Sequence, residues 1–161
     1  KHWCPSPGLA GSGFIVEEQI EGRELTCGVL ELCQGDLKAL PPIEILPKSS
    51  EFFDYQAKYT PGATEEICPA LLDADMTSSV QDLAVLVHKT FHCDPLSRTD
   101  IFLTEEGELV VLEINTLPGM TETSLIPQSA LAAGISLPDL FDQLVCHAIE
   151  REAMRKAVDT L

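Results

Sequence analysis

Four residues in the second half of the chain have the types and spacing to do chemistry together: Arg98, Asp100, Glu113 and Asn115. Arg98 and Asp100 lie two apart and run into Ile101-Phe102-Leu103. Glu113 and Asn115 lie two apart after Val110-Val111-Leu112. Residues two apart on a strand share a face, so each pair points one way. Both runs are otherwise apolar and are expected to be central strands, where charge is seldom found without compensation. Thr104 to Glu108 between them reads as a hairpin loop. In one register of that hairpin Asp100 lies opposite Glu113, and Arg98 opposite Asn115. Facing carboxylates repel. A divalent cation relieves the repulsion, and Mg²⁺ favours one or two carboxylates together with phosphate oxygens. Asn115 offers one more oxygen, and Arg98 is placed to meet a developing negative charge. The alternative is a structural ion pair in which Arg98 bridges the two carboxylates.

Asn115 leads into Thr116-Leu117-Pro118-Gly119-Met120-Thr121 and on to Ser124-Leu125-Ile126-Pro127. Gly119 allows close approach of the backbone to a ligand, or a positive φ. Backbone N–H groups there, with Ser124 ahead of a helix start, make a pocket suited to a carboxylate or oxyanion. Taken without the neighbouring strand, the same residues are an ordinary Pro-Gly turn.

The elements that must position these groups follow from periodicity. Residues 1–13 read as an irregular linker. The run Gly8-Leu9-Ala10-Gly11-Ser12-Gly13 lacks the Gly-Lys-Ser/Thr of a phosphate loop and precedes a strand. Phe14 to Gln19 and Arg23 to Leu32 read as strands joined at Glu21-Gly22; Leu37 to Leu46 reads as a third, held to an edge by Pro41-Pro42. Pro47 to Pro69 has no sustained period but carries Phe52, Phe53, Tyr55 and Tyr59, the make-up of an ordered lid loop. Val80, Leu83, Ala84, Val87 and Phe91 predict a helix over Thr77 to Phe91, capped by Asp75 or Thr77. Ser124 to Ala133 reads as a short helix. Ser136 caps a long last one that buries Leu140, Leu144 and Ile149. The fold class is α+β: an antiparallel sheet with helices packed on it.

The composition sets limits. The chain has 161 residues, 45% of them hydrophobic, enough for one cored domain. Its formal net charge is −16. No basic surface is available to displace counterions, so neither nucleic acid nor an anionic membrane is expected as a partner. The charge suits a protein that handles divalent cations. No run approaches the roughly 20 apolar residues of a membrane span, and Lys1-His2-Trp3-Cys4 does not open a signal peptide. The six cysteines are widely spaced, without Cys-x-x-Cys. They read as small buried thiols of a reducing cytoplasm.

Several runs occur in the order and spacing of one family. They are Glu17-Glu18-Gln19-Ile20-Glu21-Gly22-Arg23-Glu24-Leu25-Thr26, Phe53-Asp54-Tyr55-Gln56-Ala57-Lys58-Tyr59, Cys68-Pro69-Ala70 and Ser97-Arg98-Thr99-Asp100. Leu112 to Thr121 and Ser124-Leu125-Ile126-Pro127 complete the set. Over residues 16–150 the chain resembles the D-alanine–D-alanine ligases of the ATP-grasp superfamily, and residues 14–161 resemble their C-terminal catalytic domain. The resemblance implies ATP-dependent joining of two D-alanines through an acyl phosphate, supplying peptidoglycan synthesis in the cytoplasm. It implies ATP as cofactor with two Mg²⁺ ions (Mn²⁺ as a substitute), D-alanine as substrate, and a homodimer for the full-length form. By the same resemblance Glu17, Glu18, Gln19 and Ile20 would line the adenine, and Glu24 would hold the ribose hydroxyls. Lys58 would reach the phosphates, and Tyr59 would help close the loop over D-alanine. Asp100, Glu113 and Asn115 would bind the metal, with Glu113 bridging. Arg98 and the backbone at Gly119 would stabilise the tetrahedral intermediate. Ser124 and Leu125 would bind the carboxylate of the second D-alanine.

The resemblance stops at two places. The family's N-terminal and central domains do not fit before Phe14, so the chain is expected to be part of a larger ligase with weak or no activity alone. Asp94-Pro95-Leu96 also departs from a pattern that has glycine before the Arg98 position. Two other readings stay open: a different ATP-grasp ligase, such as one making D-alanyl-D-lactate, and a non-catalytic cation-binding module.

Overall fold

Alternation at Leu25, Cys27 and Val29 forms the strand on which everything else is built. The computed structural model describes residues 18–32, 35–47 and 64–158. In chain order the elements are β1 (Arg23–Glu31), β2 (Leu37–Ala39), β3 (Ile43–Pro47), β4 (Thr64–Ile67), α1 (Ala74–Thr90), β5 (Leu96–Leu103), β6 (Leu109–Asn115), α2 (Leu125–Ala132) and α3 (Leu137–Val158). The strands form one sheet of order β4-β3-β1-β5-β6, with β2 also paired to β1, and all pairings are antiparallel. The architecture is therefore the expected antiparallel sheet with helices.

The two faces of the sheet are covered differently. Leu25, Cys27, Val29, Ile101 and Leu103 pack against Val80 and Ala84 of α1. On the other face Leu30 and Leu96 pack with Leu40, Ile126 and Ala130 of α2, and Leu140 of α3. Each such aliphatic side chain stabilises the fold by about 1.5–3 kcal/mol when fully buried. Thus α2 and α3 cover one end of that second face, and the polar residues of β5 and β6 lie further along it.

Several local expectations change. Residues 18 and 19, the described end of the first expected strand, are not in a strand, and β1 starts at Arg23. Pro41-Pro42 splits the third run into β2 and β3; β3 lies inside the sheet because β4, drawn from the end of the long loop, pairs with it. The first helix starts a turn early. Asp73 caps it, its carboxylate accepting from Met76 N–H at 2.7 Å. The hairpin strands are not both central: β5 is, but among the described residues β6 has a neighbour on one side only. Ile149 is 65% exposed, since the α3 residues packed in the core under α2 are Leu137, Leu140 and Leu144, in its first half. Among the described cysteines, Cys27, Cys68 and Cys93 are free thiols, and burial pushes the Cys27 thiol up to about 12. Cys146 is disulfide-bonded, so the reading of every cysteine as a buried reduced thiol fails there.

Gly22 shows how closely the chain enters the sheet. A Cβ at this position would lie 2.3 Å from the carbonyl oxygen of Leu103 at the end of β5. Backbone, not a side-chain tip, stands in the way. Gly22→Ala is expected to cost about 1–3 kcal/mol through the forced shift. Chemical denaturation checks this; a loss below about 0.5 kcal/mol, the usual surface scatter, would show the contact to be soft.

His88 on α1 is the buried histidine of the core, 2% exposed, with Nδ1 2.7 Å from Ser97 Oγ. Desolvation lowers its pKa from 6.5, against the opposing pull of Glu31, Asp94 and the Cys93 backbone. The fold therefore favours the neutral ring. Its contribution is complete above about pH 6.5, the unfolded value, and is lost as pH falls below it. Melting temperature against pH should fall more steeply below that point for the wild type than for His88→Gln. Parallel curves would remove His88 as the cause.

Candidate functional site

The hairpin register is the one that brings the charges together. Arg98 pairs with Asn115, Thr99 with Ile114 and Asp100 with Glu113. The register then shifts, so that Ile101 pairs with Val111 and Leu112 is the extra residue of a bulge. A bulge re-aims the side chains beside it and commonly sits next to functional groups. On the other side of β5, Asp100 pairs with Thr26, Arg98 with Gly28 and Phe102 with Glu24. Directly opposed residues of antiparallel strands share a face. Glu24, Thr26, Arg98, Asp100, Glu113 and Asn115 therefore share one face, opposite the α1 core.

Asp100 is the anchored member, 3% exposed. Its Oδ1 accepts from Thr26 Oγ1 at 2.7 Å and from Arg98 Nε at 2.9 Å; its Oδ2 accepts from Arg98 Nη2 at 2.8 Å. Arg98 Nη2 also lies 4.0 Å from Glu113 Oε1, too far for a hydrogen bond, and the Glu113 side chain is 59% exposed. One guanidinium thus faces two carboxylates. Glu44, on the α1 face, is a useful contrast. Arg23 grips both its oxygens at 2.7 Å and holds its carboxyl below the ordinary range, a one-to-one match. At the hairpin, among the described residues, the balance is short by one positive charge.

The donor set fits a hard divalent cation. Ionised carboxylates offer about four lone-pair sites each. Asp100 receives three hydrogen bonds, which leaves capacity on Oδ2. Asn115 Oδ1 already accepts from Leu117 N–H at 2.9 Å, which fixes its direction and leaves a second lone pair. Oxygen ligands of this kind suit Mg²⁺ or Mn²⁺.

The following loop is tied to the same end of the ribbon. A Cβ on Gly28, the β1 partner of Arg98, would stand 2.5 Å from Ile126 Cδ1. The start of α2 is therefore held over Gly28. Ser124 is its N-cap residue but makes no side-chain cap bond. Instead its Oγ accepts from Thr121 N–H at 3.1 Å and lies 2.8 Å from Thr121 Oγ1. A Cβ on Gly119 would lie 2.8 Å from Ser124 Oγ, so Gly119 is needed for close approach and not for a positive φ.

The structure brings Arg98, Asp100, Glu113 and Asn115 into one cluster, with Glu24 on the same face, and sets Gly119 against Ser124 in the following loop, with Leu125 opening α2. Glu18 and Gln19 are exposed and Ile20 half-buried just ahead of β1. Glu17, Lys58 and Tyr59 lie outside the described residues. Sequence reasoning missed Thr26, which orients Asp100, and Gly28, which admits α2. The signal was present: both sit on the polar phase of the β1 alternation.

Comparison with known proteins follows from this geometry. A family model described as "D-ala D-ala ligase C-terminus" matches residues 11–146. The chain is 47% identical over 148 residues to a D-alanine–D-alanine ligase of Desulfotalea psychrophila, covering 91% of this chain and 45% of that protein. The solved D-alanine–D-alanine ligase from Coxiella burnetii superposes with a TM-score of 0.75 at 32% identity, over 89% of this chain and 36% of that one. A Bacillus anthracis D-alanine–D-alanine ligase complexed with ATP gives 0.69 at 35% identity, over 86% and 43%. The chain thus spans less than half the length of each of these proteins.

Proposed function

The chain belongs to the D-ala D-ala ligase C-terminal family, and from that premise we propose that it supplies the metal- and nucleotide-handling half of a ligase joining two D-alanines. The observation that carries this reading is the in-register opposition of Asp100 and Glu113 with a single guanidinium between them. Such a charge deficit is costly as a structural device and useful around a cation and a triphosphate.

In this reading ATP phosphorylates the carboxylate of one D-alanine, the amine of the second attacks the acyl phosphate, and inorganic phosphate leaves. Asp100, Glu113 and Asn115 would hold two Mg²⁺ ions, with Mn²⁺ as a substitute, and the metal would offset the charge of the transferring phosphoryl group. Arg98, fixed by Asp100, and the backbone at Gly119 meet the oxyanion of the tetrahedral intermediate. Glu24 accepts from the ribose hydroxyls, residues 17–20 border the adenine, and Lys58 reaches the phosphates. Tyr59 belongs to a loop that closes over D-alanine and keeps water from the acyl phosphate. Ser124 and Leu125 take the carboxylate of the second D-alanine. The acceptor is assigned as D-alanine because the Desulfotalea relative is so named. The setting is cytoplasmic peptidoglycan synthesis by a homodimer. Among the described residues no helix is long and apolar enough to cross a membrane.

The relatives' additional length suggests the test. The chain fused behind the N-terminal portion of the Desulfotalea ligase should release phosphate from ATP when D-alanine and Mg²⁺ are present, while the chain alone should release little. Equal turnover by both would refute the division of labour, and an inactive, folded fusion would count against the ligase assignment.

A further inference from the structure

A second cluster lies where β1 ends, β5 begins and α3 passes. We propose that Glu31, Asp94 and His147 form a divalent transition-metal site separate from the Asp100–Glu113 cluster, with Zn²⁺ the ion that best matches its ligands.

The three residues come from three elements: the last residue of β1, the turn before β5, and the middle of α3. One ligand atom from each lies within 4.8 Å of the other two. Ligand atoms around tetrahedral Zn²⁺ stand about 3.4 Å apart, given metal–ligand distances near 2.0–2.2 Å. Side-chain torsions of Glu31 can close that difference. One imidazole with two carboxylates is a mixed set that suits Zn²⁺ better than Mg²⁺.

The present contacts resemble such a site with a proton in place of the ion. His147 Nε2 lies 2.5 Å from Asp94 Oδ1, in hydrogen-bond contact with it. Arg151 Nη1 holds the other oxygen, Oδ2, at 2.6 Å and turns Oδ1 toward the imidazole. The His147 and Asp94 side chains are 12% and 26% exposed, so an ion could enter without unfolding the site. A cavity of about 320 Å³ borders it, and its lining includes Glu31, Asp94, His147, Glu150 and Arg151.

An independent observation comes from His88. Its ring is 2% exposed, Nδ1 is engaged by Ser97, and buried Nε2 has no hydrogen-bond partner among the described residues. The charges of Glu31 and Asp94 both act on this ring. A buried imidazole nitrogen without a protein partner, on a ring that both carboxylates act on, is a cost the fold leaves unmet. The function proposed above uses none of these four residues.

Zn²⁺ titration of the metal-free chain with excess Mg²⁺ present, followed by calorimetry, tests the site. One equivalent should bind, with affinity lowered about 100-fold by His147→Gln or Glu31→Gln and unchanged by Asp100→Asn. Glu31 is the discriminating position: it takes no part in the Asp94–His147–Arg151 ion pairs, so a purely structural cluster would not register its loss. Co²⁺ in place of Zn²⁺ should give a d–d spectrum without thiolate charge transfer. Absence of uptake, uptake indifferent to Glu31→Gln and His147→Gln, or a thiolate signature would each overturn the assignment. Failure of this site would leave the ligase reading untouched.

Discussion

Arg98→Ala is expected to destabilise the chain by about 3–5 kcal/mol, because it strands a buried carboxylate. Asp100 is 3% exposed, and among the described residues Arg98 provides two of its three hydrogen bonds and its one ion-pair partner. Without it, Thr26 alone remains to solvate the group. The double variant Arg98→Ala, Asp100→Asn should recover most of the loss, since a neutral amide no longer needs the guanidinium. Urea denaturation of the two variants reads both numbers. A single-variant loss below about 1 kcal/mol, as for an exposed pair, would mean that Asp100 is better solvated than its burial implies.

The second large effect is on chemistry. In the fusion with the N-terminal portion of the relative, Asp100→Asn and Glu113→Gln should each lower D-alanine-dependent phosphate release by about a thousandfold, equivalent to about 4 kcal/mol of lost charge stabilisation. Glu113→Gln is the cleaner of the two. Its side chain is 59% exposed and only grazes Arg98, so the fold should hold while the cation is lost. If excess Mg²⁺ or Mn²⁺ restores the rate partway, the defect lies in metal affinity. A Glu113→Gln enzyme at full rate would place the metal elsewhere.

Much of this site is legible in the sequence because strand geometry has a period of two. Once Arg98, Asp100, Glu113 and Asn115 are placed on two strands joined by a short loop, few registers keep all the apolar residues buried. The observed register is among those few. What periodicity does not reveal is where a strand stands in the sheet. Val110-Val111-Leu112 looks central, yet β6 is an edge and the bulge at Leu112 leaves Val111 and Leu112 more than a third exposed. Helix length misleads in the same way. The run Leu140, Leu144, Ile149 reads as one buried face, but α2 is too short to cover its end. The Glu31–Asp94–His147 cluster was not visible at all, since its members are 53 or more positions apart between Asp94 and His147 and only the tertiary fold joins them.

The central claim is that Asp100 and Glu113 share a divalent cation with the phosphates of ATP. Electron paramagnetic resonance of Mn²⁺ tests it most directly, using the chain with His147→Gln so that the second cluster cannot compete. Bound Mn²⁺ should increase when ATP is added, and that increase should vanish in Asp100→Asn and in Glu113→Gln. An ATP-dependent Mn²⁺ signal that persists unchanged in both variants would contradict the account.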